Sequence, residues 1–190
     1  MKLVLGIDPG TAVTGFGVVA VNGRATTLVE CGVIRTNVRD PLPHRLQEIH
    51  AGVQELIARH RPDTLAIEDV FYAKNVRTTV VLGHARGVIL LAGQLAALTI
   101  LEYPPSAIKK AITGRGGATK EQVQYMVTKL LRLKHAPQPA DAADGVAAAL
   151  CACLSATLPT LPPLKLPTLA SVRNAGRTSS PLSRTTESRK

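Results

Sequence analysis

The spacing of apolar residues along this chain changes period several times, and each change marks an element. Leu3 to Ile7 is an apolar, β-branched run that stops at Asp8-Pro9-Gly10, a turn signal. Val13 to Val21 reads as a second strand, closed by an Asn22-Gly23 hairpin turn, and Thr26 to Thr36 as a third. From Arg45 to His60 the period becomes helical, with apolar residues at Leu46, Ile49, Val53, Leu56 and Ile57. Asp63 to Glu68 is a short buried strand, and Asn75 to Leu98 a helix apolar nearly all round, which must be covered on more than one face. Thr99 to Tyr103 is a fifth strand, stopped by Pro104-Pro105. Ser106 to Thr113 predicts a short helix. Thr119-Lys120-Glu121-Gln122 is a capping box for another, and Ala140 to Leu158 is an Ala-rich helix. Three hairpin-linked strands followed by helix–strand alternation predict an α/β fold. Its five-stranded mixed sheet would be antiparallel at one side and parallel at the other, with helices on both faces.

Composition limits how much of the chain takes part. Residues 1–157 carry the pattern and have room for one domain with a sizeable core. From Leu158 to Lys190 the chain turns rich in Pro, Ser, Thr and Arg and loses its period, so 158–190 reads as a disordered basic tail. The net charge of +10 asks for an anionic partner, nucleic acid before an acidic membrane surface. At 3% aromatics and no Trp, a wide base-stacking platform is a poor fit. Three scattered cysteines, Cys31, Cys151 and Cys153, speak against a disulfide framework or a zinc site and suit a reducing cytoplasm. The five histidines show no ligand spacing. The longest apolar stretch, Gly87 to Ile100, is too short to span a bilayer and is interrupted by Gln94, so no membrane role is expected.

Acid interrupts the apolar pattern where burial is expected. Asp8 closes the first strand and Glu68 the fourth, while Asp141 and Asp144 lie three apart and share a helix face. If those strands are parallel neighbours, Asp8 and Glu68 emerge side by side at their carboxyl ends, where open α/β sheets place their sites. Each acid has a plainer reading as a turn residue or a first-turn partner of the helix dipole. Their coincidence in a basic protein favours metal chemistry. Four unpaired carboxylates at close range repel, and oxygen-only ligands suit Mg²⁺ or Mn²⁺. Two such ions, about 3.5–4 Å apart, can activate water and stabilise the leaving oxygen of a phosphodiester. Asp69 should point to the opposite side of the strand, as a structural or supporting residue.

Basic residues flank these acids. Lys109 and Lys110 lie on the short helix, Arg115-Gly116-Gly117 forms a loop, and Lys120 opens a helix N-terminus suited to phosphate. Lys74, Arg77 and Arg86 follow Glu68. Phe71 and Tyr72 are placed to wedge or stack bases at a distorted step. Each also reads as solvated surface or core.

Taken in order, several motifs resemble those of the RuvC family of bacterial Holliday-junction resolvases. They are Gly6-Ile7-Asp8-Pro9-Gly10-Thr11, Thr14-Gly15-Phe16-Gly17, Ala66-Ile67-Glu68, Ala73-Lys74-Asn75, Gly83-His84-Ala85-Arg86-Gly87 and Ala140-Asp141-Ala142-Ala143-Asp144. The likeness runs from residue 3 to about 157. It implies a ribonuclease H-like fold and metal-dependent cutting of four-way DNA junctions at two symmetric phosphodiesters. It implies Asp8, Glu68, Asp141 and Asp144 as catalytic, metal-binding acids, and Phe71 at the junction point. It also implies Lys109 and Lys120 on DNA phosphates, a homodimer formed through the Asn75–Leu98 helix, and work beside a branch-migration motor complex. Lys74, Arg77 and Arg115 complete the expected DNA-binding set. Rival readings are a ribonuclease H-like nuclease acting on an RNA–DNA hybrid, a non-catalytic junction-binding protein, and a sugar-kinase or actin-like ATPase suggested by Asp8-Pro9-Gly10-Thr11. The last needs two such domains, and 157 residues hold one.

Overall fold

The computed structural model describes residues 1–23, 25–69 and 76–155. The five strands are β1 (Lys2–Asp8), β2 (Val13–Asn22), β3 (Ala25–Arg35), β4 (Thr64–Glu68) and β5 (Thr99–Tyr103). They form one sheet in the order β3-β2-β1-β4-β5. β1, β2 and β3 pair antiparallel, whereas β1, β4 and β5 are parallel. The five helices are α1 (Leu42–His60), α2 (Val76–Leu95), α3 (Pro105–Thr113), α4 (Lys120–Leu130) and α5 (Ala140–Ser155). The expected mixed sheet is present with the predicted division into antiparallel and parallel halves.

Alternation along the strands sorts the core into two layers. Val4, Val19 and Ala66 face α3, α4 and α5, while Leu5, Ile7, Val18, Leu65 and Ile67 face α1 and α2. Continuing that alternation from Val4 and Ala66 to the strand ends puts Asp8 and Glu68 on the α5 face. Asp69 falls on the α2 face, where its carboxylate meets Arg86 at 3.2 Å.

Several element ends differ from expectation. α1 begins at Leu42 rather than Arg45, because Pro43 sits in the first turn, where a missing N–H costs nothing. Asp63 precedes β4 instead of opening it; its carboxylate accepts from the Leu3 N–H at 2.8 Å and its own N–H donates to the Leu3 carbonyl. α2 ends at Leu95, and Ala97 takes a positive φ of 55° to turn the chain into β5. The capping box at Thr119 forms in both directions. The expected tail, 158–190, lies outside the described residues, as does Asn75.

α2 corrects one sequence expectation. It is long and apolar enough, by length and composition, to cross a membrane, which a search for uninterrupted apolar runs does not register. Ala85, Ile89, Ala92 and Gly93 are nevertheless buried on the domain, and Arg86 is ion-paired to Asp69 and Glu102. Its outward face leaves Val76, Val80, Leu91 and Leu95 exposed.

Candidate active site

The site is assembled by bringing α5 onto backbone instead of side chains. Gly6 and Gly17 are direct partners across β1 and β2, and Asp8 pairs with Gly15. A Cβ on Gly15 would lie 1.9 Å from the Asp141 carbonyl oxygen, and one on Gly6 2.2 Å from that of Gly145. On the helix, a Cβ on Gly145 would lie 2.5 Å from Phe16 Cα. Real Cβ atoms do not approach so closely, so these positions require glycine for the present spacing. Small residues on the helix continue the contact: Ala142, Ala143, Ala148 and Ala149 are fully buried. The result sets Asp141 and Asp144, at the start of α5, above the end of β1. The turn after Asp8 is tied down by Thr14, which is fully buried and donates its hydroxyl to the Gly10 carbonyl at 2.6 Å.

Asp8, Glu68 and Asp144 line one cleft of about 190 Å³ with Lys109, Lys120 and the apolar residues Pro105, Ile108, Val123 and Ala147. Burial pushes the Asp8 carboxyl up to about 8, with further upward pressure from Glu68, Asp144 and Asp141 and relief from Lys120. Burial, followed by repulsion from Asp144, takes Glu68 to about 7, against the pull of Lys109 and Lys120. Asp144 is raised by burial, while its hydrogen bond from Lys120 opposes the rise. The strand-end acids are thus short of positive charge. Carboxylate oxygens gathered in such a place suit a hard divalent cation, and the cluster is compatible with divalent-metal use. Asp141 is more exposed than Asp144, at 43% against 20%, and joins the group through Lys120.

The basic residues separate into three groups. Lys109 and Lys120 enter the acid cleft, and the Lys120 ammonium lies 2.6 Å from Asp144 Oδ2 and 3.6 Å from Asp141 Oδ1. It is engaged with carboxylates here, unlike the solvated or phosphate-facing lysine that sequence alone suggests. Arg115 lines a second hollow, with Thr113, Glu121, Gln122, Tyr125 and Met126, outside the acid cleft. Arg77 is exposed on the first turn of α2. Phe71 and Lys74 lie outside the described residues.

Two arrangements escape a reading by motif. Arg86 bridges Asp69 and Glu102, tying α2 to the ends of β4 and β5. A local signal existed in the acid placed directly after Glu68, but its partner is 17 residues on. Asp40, His44 and Glu48 also gather their ligand atoms within 4.8 Å, correcting the expectation that the histidines lack ligand spacing. The i, i+4 relation becomes visible only once α1 starts ahead of His44.

A mixed five-stranded sheet with acids at adjacent parallel strand ends, completed by an acid-bearing helix, defines a ribonuclease H-like protein of the nuclease type. The family profile described as crossover junction endodeoxyribonuclease RuvC matches residues 4–152. A crossover junction endodeoxyribonuclease RuvC from Pelotomaculum thermopropionicum is 47% identical over 149 residues, covering 78% of this chain and 91% of the relative. The Thermus thermophilus RuvC structure superposes with a TM-score of 0.76 at 37% identity, over 82% of this chain and 96% of that one. Its complex with Holliday junction substrate gives a TM-score of 0.75 at 35% identity, with the same coverage. The chain belongs to the RuvC family.

Proposed function

We propose that this protein is a crossover junction endodeoxyribonuclease, which resolves four-way DNA junctions by hydrolysing two symmetric phosphodiesters in recombination and repair. The observation that carries the reading is the meeting of Asp8, Glu68 and Asp144 in one cleft, within a segment matched along its whole length to the RuvC profile. Asp8, Glu68, Asp141 and Asp144 would hold Mg²⁺ or Mn²⁺, two ions in each site. When bound, the metal supplies water activation and stabilisation of the leaving oxygen. Lys109, on α3 beside the cleft, supports the scissile phosphate by its positive charge. Arg77, Arg115, Phe71 and Lys74 are assigned to the wider DNA contact.

Two equivalent scissile bonds ask for two sites related by a two-fold axis. The exposed face of α2, with Val76, Val80, Leu91 and Leu95, suits the seam of a homodimer. A branch-migration motor complex is the expected companion, and the bacterial cytoplasm the expected location.

The direct test offers the purified protein a synthetic mobile four-way junction and an RNA–DNA hybrid, each with and without Mg²⁺ or Mn²⁺. Paired, metal-dependent nicks in the junction support the proposal. Preferential cutting of the hybrid would transfer the site to another substrate, and tight junction binding without cutting in any metal would make this a binding protein.

A further inference from the structure

Lys120 occupies an unusual place for a residue expected to meet DNA. It is the first residue of α4, inside the capping box that Thr119 and Gln122 close around it, so its backbone is well anchored. Val123 and Val127, one and two turns on, are buried in the same core as Ala147 and Leu150 of α5. The side chain is different: it is 47% exposed and crosses to α5, where its ammonium reaches Asp144 at 2.6 Å and Asp141 at 3.6 Å. A fixed backbone with a long, half-exposed stem lets the charge move without moving the helix.

Asp144 is also a proposed metal-holding acid. An ammonium and a divalent ion drawn to the same carboxylate repel each other at contact range, and water in this half-open cleft screens them only in part. The ammonium, half-exposed, has an exit to solvent, and Asp8 and Glu68 line the same cleft as its partner Asp144.

We propose that Lys120 is the resident counter-ion of the acid cleft, pairing with Asp141 and Asp144 before metal binds and leaving them when a divalent cation enters. Release makes the ammonium available to a phosphate of bound nucleic acid, so metal and nucleic acid strengthen each other's binding through one side chain. The inference rests on the metal-site reading above and adds to it a cation that the metal must displace.

Two measurements without turnover test it. In the first, Mn²⁺ binding at mildly alkaline pH is followed by the electron paramagnetic resonance of the free ion, for wild type, Lys120→Met and Lys120→Arg. Losing one charge-assisted hydrogen bond that competes with the metal should tighten Mn²⁺ binding about tenfold in Lys120→Met. Lys120→Arg, which keeps the charge, should bind no more tightly than wild type. In the second, the wild-type protein is acylated at its amines with and without saturating Mn²⁺ and read by peptide mass spectrometry. Labelling of Lys120 should rise several-fold with Mn²⁺, while the exposed Lys2 and Lys134 stay unchanged. Equal Mn²⁺ affinity in wild type and Lys120→Met, or Lys120 labelling that Mn²⁺ leaves unchanged or lowers, overturns the inference and leaves the metal site standing. Absence of Mn²⁺ binding in wild type overturns both. Should Lys120→Met fail to fold, the labelling of wild type decides alone.

Discussion

On one face of the sheet a helix rests on backbone, and on the other side chain meets side chain. The α5 face is paved with Gly6, Gly15 and Gly17, and the helix answers with Gly145 and a run of alanines. The α1–α2 face is filled by Leu5, Ile7, Ile49, Val53, Leu65, Ile67 and Ile89, all fully buried. Large side chains interlock with some latitude, since rotamers can adjust around a lost or altered methyl group. Backbone against backbone has little such latitude. The contrast follows the distribution of chemistry: the four acids stand on the inflexible face, and the tolerant face carries the helix whose outer surface is left exposed. A site that sets carboxylates around a small hard cation needs placement within a fraction of an ångström, and close glycine packing supplies it.

The largest expected effect comes from the chemistry of the inflexible face. Asp8→Asn should cut junction cleavage by on the order of a thousandfold or more, some 4 kcal/mol of transition-state stabilisation, while leaving junction binding intact. The change is nearly isosteric but replaces a charged ligand by a weak one. Cleavage and gel-shift assays on the same preparation check it; near wild-type nicking would remove Asp8 from the mechanism.

A stability comparison of the two faces should be nearly as sharp. Gly15→Ala forces a Cβ into the Asp141 carbonyl and should cost about 3 kcal/mol or prevent folding. Ile89→Val, on the other face, should cost about 1 kcal/mol and leave cleavage unchanged. Denaturant melts with parallel cleavage assays test the pair, and equal costs would dissolve the distinction drawn between the faces.

The buried acids also predict an effect of pH. Asp8 and Glu68 are raised from 3.8 and 4.5 to about 8 and about 7. In chelator the folded protein therefore holds more protons than the unfolded chain across this window. The contribution of these groups to stability is fullest below the lower values and is lost as pH rises through the upper ones. From about pH 5 to about pH 9 the melting temperature of wild type in chelator should fall by several degrees more than that of Asp8→Asn. Saturating Mn²⁺ should offset the fall at the alkaline end, because metal binds the deprotonated acids. Parallel wild-type and variant profiles would show that Asp8 does not titrate in this range.

The smallest effect on the folded monomer is expected on the outer surface of α2. Val80 and Leu91 are 54% and 51% exposed, so Val80→Glu with Leu91→Glu should change monomer stability by no more than about 0.5 kcal/mol. If the proposed homodimer forms through this face, the same pair should shift it towards monomer in sedimentation at micromolar concentration. An unchanged dimer would move the seam elsewhere.

Most of the fold was legible because its elements are locally consistent. Period-two runs ended in Asp-Pro-Gly and Asn-Gly, and Thr119 with Gln122 announced the start of α4. The acids were legible for a related reason: charge at the end of an apolar strand stands out against its neighbours. The beginning of α1 was missed because its first turn buries no residue that extends the apolar period back from Ile49, and the Asp40–His44–Glu48 grouping was missed with it.

What the sequence determined by itself was the order of elements, the two-faced strands and the placing of acids at strand and helix ends, since each depends on residues close along the chain. Tertiary structure alone decided that Lys120 lies on Asp144 and that Asp69 turns to Arg86. It also decided that glycines 9 to 11 residues apart on two strands would form the bed for a helix beginning at Ala140. Those facts depend on which surfaces meet once the strands are paired. The helix packed on those strands meets residues more than a hundred positions away, Gly15 at Asp141 and Gly6 at Gly145, whose partnership no local period encodes.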